Sequence, residues 1–204
     1  MRSPTVTHLT TVFQKAAEEA SSSLSKWLGR RTAITVKQVA AVPLEQAVVM
    51  LGSGDTPLCV CAMHIHGDVS GILALAVSDD SGLALADLLL GRDVGSSREW
   101  GDLERSAAAE TTNIIGCAYL NAMAVDADDG AAPLLMPSPP WFVRDFPEAV
   151  MESMLVTQEA AGQSVFLTRT VFHIEDTAIQ CSLVFVPAAA ATDHGGTLPA
   201  GGAT

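Results

Sequence analysis

The chain has 204 residues, enough for one domain of ordinary size with a substantial hydrophobic core. Its 23 acidic and 11 basic side chains give a formal net charge of -12, which repels phosphate backbones and argues against a nucleic-acid partner. Hydrophobic residues make up 49% of the sequence, yet no apolar run reaches the roughly 18 to 20 residues of a membrane helix. We therefore expect neither a nucleic-acid nor a membrane partner.

The first residues and the cysteines predict the compartment. Residues 1–11 contain one arginine followed by Ser, Pro and Thr, without the apolar segment of a secretory signal, so we expect a cytoplasmic protein. Without export, cysteines are more often reduced thiols than disulfides. We expect this of all four: Cys59, Cys61, Cys117 and Cys181.

The first half of the sequence predicts a long helix, a strand and a hairpin. Ala, Glu, Lys and Leu are frequent from residue 10 to 28, and Gly29 then favours the end of a helix. The β-branched residues of 32–42 favour a strand, whereas 44–51 is ambiguous. Further along, we predict a hairpin of two apolar runs (58–65 and 69–77) and a short helix that begins at 79–81 and ends at Gly91.

The second half repeats this order after an internal linker at 92–101. A long helix is predicted from about residue 102 to 125, with acidic residues in its first turn. The other predicted elements are a short extended piece at 134–136, a proline-rich turn at 137–140, a helix at 147–155, and strands at 164–174 and 177–186. The tail at 188–204, mostly Ala, Gly and Thr, predicts disorder.

The repeated order of elements indicates two related halves, at about 10–91 and 102–187, within a single domain of residues 1–187. The predicted fold class is therefore α+β. We expect a pseudo-twofold, mainly antiparallel sheet with the two long helices packed on it.

Cys59, Cys61, His64 and His66 form a C-x-C-x-x-H-x-H string of residue types that bind zinc. Side chains of a strand alternate between its faces, so the cysteines are predicted on one face and the histidines on the other. We therefore expect core cysteines and histidines at the edge of the hairpin, and no metal site. The motifs of nucleophile-elbow hydrolases, P-loop proteins and zinc proteases are absent from the sequence.

The second long helix carries the most informative pattern. Glu110 and Asn113 are three residues apart and therefore neighbours on a helix, with Ser106 one turn before them and Cys117 one turn after. Small residues surround this stripe and predict a low surface that another molecule can approach: Ala107, Ala109, Thr112 and Gly116. Polar residues at this spacing most often only solvate a helix. Alternatively, an amide that orients water and a carboxylate that holds a lysine can complete another protein's active site.

The string S-x-x-x-E-x-x-N at Ser106, Glu110 and Asn113 resembles the CheC/CheX/FliY chemotaxis phosphatases. It is followed by Ile-Ile at 114–115, by Tyr-Leu-Asn-Ala at 119–122 and by Pro-Ser-Pro at 137–139. The spacing of the proline, Pro137 or Pro139, departs from the family's pattern. Residues 24–46 (LSKWLGRRTAITVKQVAAVPLEQ) and 66–77 (HGDVSGILALAV) extend the similarity over most of the chain. A CheC-like fold for the whole domain is what this resemblance implies.

The resemblance also implies a function: stimulated hydrolysis of the aspartyl phosphate of a CheY-like receiver. By motif position, Asn113 would orient the attacking water and Glu110 would contact the receiver's lysine. Ser106, Gly116 and Cys117 are the expected partner-contact residues. The Mg²⁺ of this chemistry belongs to the receiver, so the resemblance implies no cofactor bound by this chain.

The first long helix departs from family members that carry a second Glu-x-x-Asn motif, because it has Gln14, Glu18 and Glu19 but no asparagine. We therefore predict one active face. The departure keeps a second hypothesis open, a non-catalytic interaction module of the same fold that binds a flagellar switch protein or a CheD-like protein. The sequence also leaves a homodimer open.

Overall fold

A seven-stranded sheet with helices on both faces forms the described part of the chain, in a computed structural model that covers residues 6–52, 56–68, 70–125, 134–156 and 165–188. The helices are α1 (Val6–Leu28), α2 (Leu44–Leu51), α3 (Asp79–Leu89), α4 (Asp102–Val125) and α5 (Pro147–Val156). The strands are β1 (Thr32–Val42), β2 (Leu58–Gly67), β3 (Gly71–Ser78), β4 (Leu135–Pro137), β5 (Trp141–Asp145), β6 (Val165–Ile174) and β7 (Thr177–Pro187).

The strand order shows how the two halves of the chain share one sheet. The order is β1-β6-β7-β3-β2-β4, with β5 also paired to β2, and every described pairing is antiparallel. The hairpin β2–β3 of the first half pairs at its outer side with β4 and β5 of the second half, and the hairpin β6–β7 of the second half pairs at its outer side with β1 of the first half. The halves are therefore interleaved around the central β7–β3 pair, and the predicted pseudo-twofold α+β fold is confirmed.

Each face of the sheet covers its own hydrophobic cluster. On one face α1, α3 and α4 pack over a cluster that includes Phe13, Leu73 and Tyr119. The rings of Phe13 and Tyr119 lie 5.0 Å apart, where α1 meets α4. On the other face α2 and α5 cover a cluster that includes Val60 and Met151. The two long helices thus lie side by side on one face, as predicted.

Two elements were not predicted from the sequence. The ambiguous segment after Pro43 is the helix α2, which buries Ala47 completely against the sheet. The proline-rich turn continues directly into β5, whose residues pair with Leu58–Ala62 of β2. Strand formation there depends on a partner about 80 residues away, so local sequence gave too weak a signal.

The segment 92–101 connects α3 to α4 as an anchored loop. The backbone N–H groups of Gly95 and Ser97 donate hydrogen bonds of 2.8 and 2.9 Å to the carboxylate of Asp87, and the Ser97 hydroxyl donates another of 2.6 Å. Asp87 is completely buried. The loop therefore fixes the end of α3 against the start of α4. The predicted disordered tail lies outside the described residues, apart from Ala188.

Both edges of the sheet have features that hinder pairing with a further strand. Along β1, Ser25 Oγ accepts from the Thr32 N–H (2.9 Å) and donates to the Thr32 carbonyl (3.0 Å), while Ser21 Oγ accepts from the Ile34 N–H (2.8 Å). β1 pairs with β6 on one side only, and the two serines of α1 bind backbone groups on its other side that would otherwise be unpaired. At the opposite edge, the β4–β5 segment contains three prolines, which have no N–H to donate: Pro137, Pro139 and Pro140.

Candidate functional site on helix α4

The first turn of α4 is fixed by an ion pair. Glu104 is 8% exposed, and its Oε1 atom accepts a 2.7 Å hydrogen bond from Arg92. Its own backbone N–H and the Arg92 guanidinium lower the pKa of the Glu104 carboxyl, so Glu104 stays ionised and Arg92 stays bound. The position of α4 on the sheet is therefore set at its start.

The outward stripe of α4 carries the residues that the sequence singled out. Ser106 and Glu110 are exposed, and Asn113 and Cys117 are partly exposed. At 3.6 residues per turn these four positions lie within an arc of about 60° on the helix surface. The Glu110 carboxylate and the Asn113 carboxamide therefore reach the surface side by side, as a partner-facing pair requires.

Cys117 lies close enough to Asn113 to influence it. The Cys117 thiol is a donor to the Oδ1 atom of Asn113, at a sulfur–oxygen distance of 3.9 Å. Partial burial and the nearby Glu110 charge raise the pKa of the thiol, so it remains protonated at neutral pH. A protonated thiol favours the amide orientation that turns Oδ1 toward Cys117 and leaves Nδ2 for other partners.

Gly116 requires a correction. The sequence placed it among the partner-contact residues, but it is buried on the inner face of α4. A Cβ at this position would lie 2.5 Å from the Met63 sulfur, so Gly116 lets α4 lie close to β2 instead of contacting a visitor. Ala107 and Thr112, which we expected to lower the surface, are also buried. The small residues of α4 mainly serve helix-to-sheet packing.

Residues 10–17 of helix α1 have nearly the same burial pattern as residues 109–116 of α4, a shift of 99 residues. Thr11 and Gln14 occupy exposed positions that correspond to Glu110 and Asn113, and the two residues between them are buried in both helices. Thr11 replaces the carboxylate and Gln14 replaces the shorter amide. The single active face remains a prediction, supported by this difference.

The cysteine and histidine string lies on two faces of β2, as predicted. Cys59 and Cys61 line an apolar crevice together with Trp100 on the α4 side of the sheet. His64 stacks on His66 and on Trp141, with ring centroids 5.9 and 4.7 Å apart. Within the described ranges, His, Cys, Asp and Glu side chains form no group of three or more that could hold a metal ion.

One polar centre was missed by sequence reasoning. Asp79, at the start of α3, accepts two 2.8 Å hydrogen bonds from Arg144 of β5, one of 2.9 Å from the Trp100 indole and one of 3.0 Å from the Cys59 thiol. The Arg144 hydrogen bond is the main reason that the pKa of Asp79 lies well below its usual range. These contacts join α3, β5 and β2, and they lie away from the α4 stripe.

No family model and no curated protein matches the sequence. Solved structures do match. Thermotoga maritima FliY has a TM-score of 0.71 at 17% identity, over 88% of each chain. FliM in a complex with SpeE from H. pylori has a TM-score of 0.66 at 14% identity, over 91% of this chain and 90% of that one. The chain has the CheC/CheX/FliY-type fold. This likeness confirms the predicted resemblance at the level of the fold.

A third protein of the CheC/CheX/FliY-type fold was solved with a partner. It is Borrelia burgdorferi CheX in a complex with CheY, BeF3 and magnesium, with a TM-score of 0.52 at 15% identity over 88% of this chain and 97% of that one. H. pylori FliM was solved with FliG. Among the described helices of this chain, none is both long and apolar enough to cross a membrane.

The stripe on α4 has a limited chemical repertoire. Asn113 can donate and accept hydrogen bonds without changing charge, and Glu110 can pair with a cation. Neither residue is a nucleophile beside a base, because no described contact joins either of them to a histidine or lysine. The pair is suited to orienting a reaction whose reactive groups belong to another molecule.

Proposed function

We propose that this chain accelerates hydrolysis of the aspartyl phosphate of a CheY-like receiver. The observation that carries the proposal is the surface position of Glu110 and Asn113, one helical turn apart on α4. A CheX of this fold was solved bound to CheY with BeF3 and magnesium, which supports the choice of partner.

Each side chain of the pair has a separate task. Asn113 orients a water molecule in line with the phosphorus–oxygen bond that breaks, and its neutral amide does not repel the phosphoryl oxygens. Glu110 pairs with a lysine of the receiver and thereby fixes the position of the receiver relative to Asn113. Ser106 and Cys117 contact the receiver on either side of the pair.

Positioning alone is a sufficient contribution to this chemistry. Phosphoryl transfer passes through a loose transition state in which the protein mainly aligns the nucleophile and stabilises charge. The receiver supplies the phosphoaspartate and the Mg²⁺ that neutralises the phosphoryl oxygens. This chain then needs no nucleophile, general base or metal of its own.

The decisive experiment measures the lifetime of phosphorylated receivers. A panel of CheY-like receivers is phosphorylated with a small phosphodonor, and phosphate loss is followed with and without this protein. The wild type should shorten the lifetime of at least one receiver. Asn113→Ala should abolish the acceleration, and so should Asn113→Asp, whose charge repels the phosphoryl group. Gln46→Ala is the matched control, because Gln46 is an exposed amide residue of α2, on the opposite face of the sheet from α4.

Glu110 is tested by charge removal. Glu110→Gln should weaken the acceleration by raising KM, because the lysine loses its ionic partner. Glu148→Gln removes an exposed carboxylate from α5, on the opposite face of the sheet, and should change nothing. An unchanged phosphate lifetime across the whole panel, with wild-type protein, contradicts the proposal.

A second function is favoured by the match to FliM and by the missing Glu-x-x-Asn motif on α1. In this alternative the chain is a non-catalytic interaction module that binds a flagellar switch protein or a CheD-like protein. Stable binding of such a partner, unaffected by Glu110→Gln and Asn113→Ala, together with no effect on phosphate lifetime, distinguishes it from the phosphatase.

A further inference from the structure

We propose that the two histidines of β2, together with a methionine of the neighbouring strand, bind a single cuprous ion. The ligands are the imidazoles of His64 and His66 and the thioether of Met136 on β4. The sequence predicted no metal site because the four side chains of the cysteine and histidine string cannot converge. The histidines with Met136 are a different set, and they lie on the face of the sheet opposite α4.

Strand periodicity places both imidazoles on one face of the sheet. Met63 and Ile65 point into the hydrophobic cluster that α1, α3 and α4 cover, so the alternating residues His64 and His66 lie on the other face. Trp141 packs against the cluster of that other face and stacks on His64, with ring centroids 4.7 Å apart. The two histidines are therefore neighbours on the face that α2 and α5 partly cover.

Met136 lies directly across the sheet from His66. The two residues are partners in the antiparallel pairing of β2 with β4. Such partners have Cβ atoms about 4.5 to 5.5 Å apart on the same face. Leu135 packs against the cluster on the α4 side, so the adjacent Met136 points to the histidine face. Met136 is 51% exposed, and its flexible thioether can therefore turn toward the imidazoles.

The separation of the two imidazoles suits a shared ion. Their ring centroids lie 5.9 Å apart. Metal–nitrogen bonds of about 2 Å to one common ion place two imidazole centroids roughly 5 to 6 Å apart. Burial and the nearby His66 lower the pKa of His64, so this imidazole is neutral at pH 7, the form that binds metal. The exposed His66 ring can turn about its broad χ2 torsion to direct a nitrogen at the ion.

Backbone hydrogen bonds hold the ligand-bearing strands together. The Ser138 N–H donates a 2.8 Å hydrogen bond to the His64 carbonyl, and the His64 N–H donates one of 3.0 Å to the Ser138 hydroxyl. The segment after Met136 is thereby fixed beside β2, and the Trp141 ring restricts the His64 imidazole. A site that is ordered before binding loses less conformational entropy when the ion arrives.

The donor set selects the ion. Among the described residues, no third His, Cys, Asp or Glu completes a metal site with the histidine pair, so the four ligands of a structural zinc site are not assembled there. Imidazole suits several transition metals, whereas thioether sulfur is a soft ligand that selects Cu⁺. Two imidazoles and one thioether therefore fit a cuprous ion better than Zn²⁺ or Ni²⁺.

The test is a titration with Cu⁺ under a reductant, with bicinchoninate as the coloured competitor. Cys117→Ala is the reference protein, because Cys117 is the partly exposed thiol and would also take Cu⁺. This reference should bind one Cu⁺ per chain. In the same background, His64→Asn, His66→Asn and Met136→Leu should each weaken the Cu⁺ affinity at least about tenfold, because losing a ligand costs no less than losing a residue that supports one.

Two matched variants control for residue type. His173→Asn removes a partly exposed histidine of β6, and Met50→Leu replaces a partly buried methionine of α2. Neither should change the Cu⁺ affinity. His66 and Met136 are exposed, so replacing them should leave the fold intact, which thermal unfolding without copper checks.

Trp141 provides a second measurement. Copper bound beside its indole should quench tryptophan fluorescence, and Trp141→Phe should remove this quenching while Cu⁺ binding measured by competition persists. Unchanged Cu⁺ affinity in both histidine variants, or in Met136→Leu, overturns the inference. No receiver takes part in these measurements, so their failure leaves the proposed function standing, and failure of the proposed function leaves the copper site standing.

Discussion

The thiol of Cys117 lies 3.9 Å from the Oδ1 atom of Asn113, one turn further along α4. The other three cysteines are buried, so Cys117 is the one thiol of the chain with partial access to solvent. Burial and the Glu110 charge raise its pKa, so little thiolate is present at neutral pH.

Alkylation of the folded protein should therefore select Cys117. Iodoacetamide should modify this cysteine alone, slowly at pH 7 and faster as the pH rises, because only the thiolate reacts. Peptide mass spectrometry gives both the site and the rate. The bulky adduct should stop receiver dephosphorylation by covering the Asn113 amide. Cys117→Ala, which removes the thiol contact to Asn113, should retain reduced activity that the reagent does not change, and full activity of the alkylated wild type would disprove the geometry.

Gly116→Ala should destabilise the protein, although alanine normally favours a helix over glycine by up to about 1 kcal/mol. The added methyl group would meet the sulfur and terminal methyl of the fully buried Met63 side chain, which must shift to make room. We expect a loss of about 1 to 3 kcal/mol in the free energy of unfolding, measured with denaturant.

A double-mutant cycle identifies the cause. Met63→Ala alone leaves a cavity and should cost about 2 to 5 kcal/mol. Combined with Gly116→Ala, the loss should be smaller than the sum of the two single effects, because the methyl group enters the vacated space. Additive losses would mean that Gly116 is required for another reason.

Local signals in the sequence predicted most of the fold. Gly29 and the acidic first turn of α4 marked helix ends, and β-branched residues placed β1 at its observed bounds. The spacing of Glu110 and Asn113 predicted their adjacency, because helical periodicity determines it. Spacing alone does not determine which side of α4 faces the sheet, and for that reason Gly116 was assigned to the wrong face. The Asp79–Arg144 pair joins residues 65 positions apart, and no local pattern predicts it.

Asp79→Asn should weaken the fold at neutral pH. Its carboxylate receives hydrogen bonds from Arg144, Trp100 and Cys59, and a hydrogen bond to a charged group contributes about 1.5 to 3 kcal/mol. The lower end of this range applies, because Arg144 is 47% exposed and solvent screens the pair. Asp80→Asn, at the exposed neighbouring position of α3, is the control.

The pH dependence of this effect has a definite sign. Arg144 is the main cause of the lowered pKa of Asp79 in the folded protein, so ionised Asp79 stabilises the fold above its ordinary pKa of 3.8. The difference in unfolding free energy between wild type and Asp79→Asn should stay constant from pH 7 to the region of that value. Below pH 3.8 this free-energy difference should decrease, because the unfolded wild type takes up a proton. A difference that grows in acid would contradict this assignment.

Ser97→Ala should destabilise the loop that precedes α4. Burial raises the pKa of Asp87, but hydrogen bonds from Ser97 and Gly95 lower it overall, so the carboxylate depends on these donors. Loss of the hydroxyl should cost about 1 to 3 kcal/mol at pH 7, and this cost should shrink in acid, because the substitution raises the pKa of Asp87 in the folded protein toward its ordinary value. Ser96→Ala, at the exposed adjacent position, should have little effect. Equal thermal unfolding of Ser97→Ala and wild type would show that Asp87 needs no hydroxyl.

The serines that bind the first residues of β1 and the prolines of the β4–β5 segment have a consequence for how this protein associates with others. Sheets commonly recruit an incoming chain by letting it add one more strand at an open border. Here one border is engaged over Thr32–Ile34 and the other lacks several donors. Recognition by lateral strand addition is therefore discouraged along these two stretches of the sheet edges.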